Sequence, residues 1–311
     1  MIDPHRLRLL RDVAVHGTVT AVADHAGYTV SAVSQALSAL QRDIGTALLE
    51  KRGRNVVLTR AGEALVDSSS AVFEALEAAE MAVAQAVGSM QGRVRLGSMA
   101  SMFVALVPQV VLGLRADHPD VDLEVVELNE DLRLELRRGN LDLAIDQEYS
   151  ILPPRESEDG IERFPLLEEP VFLVVAESVD VDSVEQLALE QWAFAPFGEC
   201  SRATKAICAG LGIEPQPRFH SDNHGVLLPL AKIGAAVVIL PAACCLPKPE
   251  GVRLLELEGV KRRVDLYARS SSAEMPVVTE IASRLRHAAD DLAPRLGSLA
   301  DGKLSLRGAG Q

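Results

Sequence analysis

Residues 29–41 read TVSAVSQALSALQ, and their types and spacing define a chemistry. Val33, Leu37, Leu40 and Ile44 recur at three- and four-residue intervals, so a helix here buries one face. Its other face is then Val30, Ser31, Ser34, Gln35, Ser38 and Gln41, with Thr29 placed to cap the first turn. Short, uncharged hydroxyls and amides near a helix N-terminus suit hydrogen bonding to base edges in a major groove, and suit an ordinary solvated face equally well. A few residues on, Lys51, Arg52 and Arg54 stand close together, the chemistry that phosphates call for.

Other clusters carry less. His220, Asp222 and His224 share one short run but lack a second ligand cluster, so they read as loop polar groups before a helix and no metal is expected. No nucleophile with a base, and no metal-ligand set, converges in the pattern, so no catalytic residue and no cofactor is expected.

The elements that must position the polar face follow from the flanking residues. Ala21, Val22 and Ala23 precede a turn at Gly27, where a positive φ is needed, and small Ala23 lets two helices cross closely. Pro4 opens an earlier helix through Leu7, Leu10, Val13 and Ala14, which Gly17 and Thr18 close. Leu48 to Thr59 reads as two short strands around Gly53-Arg54-Asn55, a basic hairpin beside a helix-turn-helix, hence a wing.

Residues 60–87 contain no Pro and set Leu65, Val72, Leu76, Ala79, Val83 and Ala86 on one side of a long helix. That stripe needs cover, either the same helix of a second copy or the chain's own head. Gly88-Ser89-Met90-Gln91-Gly92 then breaks the helix as a hinge.

Beyond it strand and helix patterns alternate. Strands are expected at Val94–Gly97, Leu123–Leu128, Leu141–Ile145, Val171–Val175, Ala193–Ala195, Arg218–His220, Ala236–Leu240 and Val264–Ala268. Helices are expected at Phe103–Ala116, Leu132–Gly139, Arg202–Leu211, Val226–Ile233 and Val277–Ala289. The alternation predicts a parallel-type α/β sheet, and its interruption predicts two lobes joined by two crossings. The tail from Asp301 to Gln311 is expected to be disordered.

Charge is unevenly spread. The chain of 311 residues has a net charge of -13, yet residues 1–62 hold eight Lys or Arg against five Asp or Glu, a net of +3, which leaves -16 elsewhere. An acidic body repelled from DNA everywhere except at its head limits nonspecific sticking and makes binding salt-sensitive. Aromatic residues are 4% of the chain, which argues against stacking on single strands. No apolar run approaches a membrane span and MIDPHRLRLL lacks a signal-peptide core, so the expected location is the cytoplasm, with no membrane partner.

Taken together, the helix-turn-helix, Leu48-Leu49-Glu50-Lys51-Arg52, Val57-Leu58-Thr59 and Ala61-Gly62-Glu63 resemble the winged head of LysR-type transcriptional regulators. The resemblance continues through Gly92–Gly97, His118-Pro119-Asp120-Val121, Arg138–Ile145 and Gly234–Pro241, in order, over nearly the whole chain. It implies a winged helix-turn-helix over residues 1–62, a linker and dimerisation helix with hinge over 63–91, and an effector-binding α/β domain of periplasmic-binding-protein type over 92–300. Lobe I would take about 92–164 and 266–300, and lobe II about 165–265. The implied partners are double-stranded operator DNA, a small-molecule effector of the metabolite class and further copies of the chain as dimer or tetramer, with RNA polymerase a further candidate.

In such a domain ligands sit at the carboxyl ends of strands. Those ends offer Ser98, Met99, Ala100, Ser101, Asn129, Asp146 and Gln147 from one lobe and Phe197, His220 and Asn223 from the other. Asp146 and Glu148 near the cleft argue against a polyanionic effector. The DNA face departs from the family at Val30 and Ser31, where Gln and Pro are usual, and at Gln35, where a basic residue is common. The Arg-to-guanine contact is thereby lost, Gln35 remains suited to adenine, and more of the readout falls on Arg52, Arg54 and DNA shape.

Cys200 and Cys208, in FGECSRATKAIC, lie near where the peroxide-sensing members hold their thiols, one residue closer together. Arg202 could depress the Cys200 pKa, yet eight helical positions separate the sulfurs by about 12 Å, so a bridge needs the helix to unwind. Thiol sensing therefore stands as an alternative to a bound effector. A cytoplasmic solute-binding protein is the alternative from another class, which the winged head argues against.

Overall fold

The computed structural model describes residues 2–52, 55–86, 90–128, 131–179, 187 and 191–305. It divides into two compact units, Met1–Gly88 and Ser89–Gln311.

The head begins with α1 (Pro4–His16), α2 (Val19–Ala26) and α3 (Val30–Ile44). Thr18 Oγ1 accepts from Ala21 N at 3.1 Å and Thr29 Oγ1 from Ala32 N at 3.2 Å, so each helix of the pair starts on a side-chain cap. Gly27, at φ 71°, closes α2 in the left-handed conformation and turns the chain into α3. Leu10, Val13, Val22, Val33, Leu37 and Leu40 meet in one core, with Leu48 from the segment that leads into the wing. The wing is β1 (Leu49–Arg52) paired antiparallel with β2 (Asn55–Leu58).

α4 (Arg60–Ala86) leaves the wing. Its apolar stripe divides: Leu65 packs on the head core, whereas Val72, Leu76 and Val83 are exposed by 41%, 42% and 66%. Phe73, absent from the expected stripe, is buried under the guanidinium groups of Arg8 and Arg11. Of the expected hinge, residues 88 and 89 lie outside the described residues, and Gly92 already opens the first strand of the second unit.

The second unit is organised by one seven-stranded sheet. Its path is β4 (Val121–Glu127), β3 (Gly92–Ser98), β5 (Leu143–Tyr149), β10 (Val252–Arg269), β6 (Ile161–Ala176) and β9 (Val238–Pro241), with β11 (Gly302–Ser305) beside β10. β7 (Trp192–Phe194) and β8 (Pro217–His220) pair separately. The helices are α5 (Ala100–Ala105), α6 (Val107–Asp117), α7 (Leu132–Arg137), α8 (Gly198–Leu211), α9 (His224–Lys232) and α10 (Pro276–Gly297).

Three expectations need correction. The sheet is mixed: β3 runs parallel to β4 and β5, but β10 is antiparallel to β5 and β6, and β6 to β9. Long β6 and β10 carry the chain through both halves in opposite directions, which reverses half the pairings. The single helix expected at Phe103–Ala116 is two, because Pro108 fits only the first turn of a new helix and so separates α5 from α6. Part of the tail is ordered: Gly302–Ser305 pairs parallel with Leu255–Glu258, and the Asp301 carboxylate accepts from Leu254 N at 2.9 Å.

Candidate functional site

The head presents a clean face. Thr29, Val30, Ser31, Ser34, Gln35 and Ser38 are all exposed on α3 and its cap, opposite the buried Val33, Leu37 and Leu40. Thr29 and Ser31 hydroxyls lie 3.1 Å apart, and Ser38 Oγ donates to the Ser34 carbonyl at 2.8 Å, leaving its lone pairs outward. Gln41, expected on that face, is committed elsewhere. Its Oε1 accepts from Leu48 N at 2.9 Å and Leu49 N at 3.2 Å, tying the recognition helix to the start of the wing. Lys51 and Arg52 are exposed on β1; Arg54 lies outside the described residues.

The second unit holds a cavity of about 310 Å³, lined from both halves of the sheet. Met99, Ala100 and Ser101 enter from the end of β3, Asp146, Gln147 and Tyr149 from β5, and Phe197, Glu199, Cys200 and Thr204 from α8. Ser98 is fully buried with its hydroxyl turned to the Met99 carbonyl, so it stands behind the wall. His220 and Asn223 also fall outside the lining. Asn223 caps α9 by accepting from Gly225 N at 2.8 Å, and its neighbours Asp222 and His224 line the cavity instead. Asn129 lies outside the described residues.

The floor is built around Arg262, which sequence reasoning missed. It is 2% exposed and pairs with fully buried Glu169, whose Oε1 accepts from Arg262 Nε at 2.7 Å and also from Nη2. Arg262 Nη1 donates to Ser101 Oγ at 3.0 Å and Gln147 Oε1 at 2.8 Å, so one cation orients polar groups from α5 and β5 toward the cavity. Burial and the nearby Arg262 charge lower the His224 pKa, keeping its ring neutral at pH 7.

Cys200 faces the cavity. Its Sγ accepts from Gln147 Nε2 at 3.3 Å and lies 3.5 Å from the Tyr149 hydroxyl. Burial, then proximity to Cys200, holds that phenol well above its ordinary pKa. Arg202, expected to act on the thiol, is instead paired with Glu199. Cys208 points away, into the apolar core with Val171, Leu173, Trp192 and Leu211.

The acids near the cleft do not make it anionic in the expected way. Asp146 receives Arg133 Nε at 3.2 Å and Arg155 Nη1 at 3.0 Å, while Glu148 pairs with Arg133 and Arg263 behind the wall. Arg155 also reaches Glu199 Oε2 at 2.7 Å, so it spans from β5 to the first turn of α8.

A winged helix-turn-helix, a long helix and an α/β unit with an internal cavity define a DNA-binding transcriptional regulator with a ligand-type sensory domain. The chain belongs to the LysR family: residues 4–63 match the model of the bacterial regulatory helix-turn-helix protein, lysR family, and residues 88–290 match the LysR substrate binding domain. A probable hydrogen peroxide-inducible genes activator of Mycobacterium avium is 32% identical over 288 residues, covering 89% of this chain and 91% of that protein. A full-length OxyR variant from Pseudomonas aeruginosa shares the fold at a TM-score of 0.67 and 20% identity, covering 96% of this chain and 97% of that one. Full-length CbnR complexed with its target DNA does so at 0.59 and 21%, covering 92% and 100%.

Proposed function

We propose that Thr29, Val30, Ser31, Ser34, Gln35 and Ser38 face the bases of an operator while Lys51, Arg52 and Arg54 reach its phosphates. One observation carries this reading: the six uncharged side chains share the exposed face of a helix whose other side is the head core. The complex of CbnR with target DNA supports it by likeness of fold. The head comprises residues 1–62, the linker 63–91 and the sensory domain 92–300. Val72, Leu76 and Val83 on α4 are covered by the same helix of a second copy, so the regulator works as a dimer or a higher even assembly in the cytoplasm. No catalytic step is involved.

The effector binds in the cavity against Met99, Ala100, Ser101, Asp146, Gln147 and Phe197. A volume of about 310 Å³ suits a small metabolite, and the mutually paired charges at its edge disfavour a multiply charged one. By binding one arrangement of the halves better than another, the effector shifts the population of assemblies and so the spacing of paired heads. A second reading is favoured by one observation, the Cys200 thiol facing this cavity beside Gln147 and Tyr149, together with the name of the Mycobacterium avium relative. There the stimulus is a hydroperoxide that reacts with Cys200.

Fluorescence anisotropy with a duplex from the gene's own upstream region tests the DNA reading. At about 0.15 M salt that duplex should bind at least about tenfold more tightly than a scrambled one. Gln35→Ala should relax preference at one position by about 1–3 kcal/mol, and Arg52→Ala should lower the salt slope by about one. Equal affinity for both duplexes refutes the reading.

A further inference from the structure

We propose that Cys244, rather than Cys208, is the thiol that resolves an oxidised Cys200, so that a hydroperoxide leaves a Cys200–Cys244 disulfide across the cavity. The inference rests on the second reading above, in which Cys200 is the reactive thiol.

The geometry that carries it is a shared wall. Cys200, in the first turn of α8, and Cys244, in the short 3-10 turn Ala242–Cys245 that follows β9, both line the one cavity. A run of touching groups leads from Cys200 around it toward the turn that carries Cys244. Cys200 Sγ meets Gln147 Nε2 at 3.3 Å, Gln147 Oε1 meets Arg262 Nη1 at 2.8 Å, and Arg262 Nη1 meets Ser101 Oγ at 3.0 Å. Ser101 belongs to α5, which packs against the 3-10 turn that carries Cys244.

Cys208 has none of this. It is fully buried in the core on the other side of α8, eight residues and about 12 Å of helix rise from Cys200. Disulfides hold their Cα atoms within about 7 Å. Bridging along the helix would therefore unwind two turns and withdraw the buried Ala203, Thr204 and Ile207 from their packing. A bridge to Cys244 would instead cross the open cavity that both thiols line and need not pass through the packed face of α8.

The chemistry balances. The Cys200 thiolate attacks one oxygen of the hydroperoxide, the O–O bond breaks, and the departing oxygen takes a proton to leave as water or alcohol. Cys200 is then a sulfenic acid. The Cys244 thiolate attacks that sulfur, the S–O bond breaks, and hydroxide leaves as water with the proton Cys244 gave up. Two thiols thus supply two electrons to one hydroperoxide. Burial pushes both Cys208 and Cys244 up to about 12; at Cys244 the nearby Arg262 charge acts downward while Glu169 and Cys200 act upward, so geometry rather than acidity separates the two.

The bridge would have a mechanical consequence. Drawing Cys200 away from Gln147 and Tyr149 shifts adjacent Glu199, which holds Arg155, and so loosens the strap from β5 to α8. Oxidation and cavity geometry are then one event.

The test is peptide mapping of the full-length, unsubstituted chain, reduced and then treated with a slight excess of hydrogen peroxide before alkylation. Free thiols should fall from four to two, and one disulfide-linked peptide pair should join Cys200 to Cys244. Cys208→Ala should lose two thiols as before. Cys244→Ala should stop after one, with Cys200 trapped by dimedone as the sulfenic acid. A bridge from Cys200 to Cys208, or between Cys244 and Cys245, overturns the proposal and leaves Cys200 sensing intact. Unchanged Cys200 after treatment overturns the sensing reading itself.

Discussion

Replacing Glu169 by Gln should destabilise the sensory unit far more than its conservative shape implies. Glu169 is fully buried and accepts from three donors, Arg262 Nε, Arg262 Nη2 and Ala243 N, the last at 2.6 Å. A Gln offers one oxygen, so its amide N–H must face either the guanidinium or the Ala243 amide, donor against donor. The Arg262 charge meanwhile stays buried without its counter-ion. Removing one partner of a buried pair costs about 3–5 kcal/mol, and at a urea m-value of about 2–3 kcal/mol per M the midpoint should fall by about 1–2 M. The assay is unusually specific. Trp192 is the only tryptophan, is 0% exposed, and donates its ring N–H to the Leu187 carbonyl at 3.1 Å within this unit, so its fluorescence reports the unfolding of this unit alone. The combined Glu169→Leu, Arg262→Met chain should lose less than the sum of the two single changes, because it leaves no unpaired charge. A Glu169→Gln midpoint within about 0.3 M of the unchanged chain, roughly 1 kcal/mol by the same slope, would refute the claim that the pair is structurally obligatory.

Two further changes act on the head and should leave the Trp192 transition where it is. Gly62→Ala puts a Cβ onto the Leu48 carbonyl oxygen, which already accepts from Thr59 N at 2.9 Å, so α4 must move off the wing. Overpacking of this kind costs about 1–3 kcal/mol, and hydrogen exchange of α1 to α3 should quicken accordingly; unchanged exchange would show that the helix start is free to shift. Gln41→Leu leaves Leu48 N and Leu49 N without their shared acceptor, at about 1–3 kcal/mol. Amide exchange at those two positions should rise and DNA affinity fall, and a chain that keeps both at their original values contradicts the tether.

The head was legible because every boundary is local. Thr18, Thr29 and Gly27 cap or turn the helices within a few residues of where the periodicity starts and stops, and Val33, Leu37 and Leu40 need no distant partner to define the exposed face. Gln41 was misread because its partners belong to the next element, which a helical wheel does not contain. The sensory unit was half legible for the opposite reason. β6 and β10 were read only over Val171–Val175 and Val264–Ala268, since Glu162, Arg163, Pro165, Glu168, Glu169 and Pro170 look like loop. The register explains part of their presence in strands: Glu169 stands opposite Arg262 and pairs with it, while Arg263, opposite Glu168, pairs instead with Glu148 of β5 and Asp265.

The same long-range pairing accounts for which expected residues line the cavity and which do not. Ser98, His220 and Asn223 were chosen because strand ends point to a cleft, and a strand end is a position, not a direction. Which residue turns inward depends on what fills the floor, and the floor is Arg262, set by Glu169 from 93 residues away and bonded to Ser101 from 161 residues away. Cys200 follows the same logic. With α8 beginning at Gly198 rather than Arg202, the thiol falls in the first helical turn, where it meets β5 instead of lying in a preceding loop. The polar groups that face the cavity are therefore placed by one buried cation, which no pattern of strands and helices announces. If the proposed effector site is right, substitutions at Glu169, which lies outside the cavity lining, should alter response as well as stability.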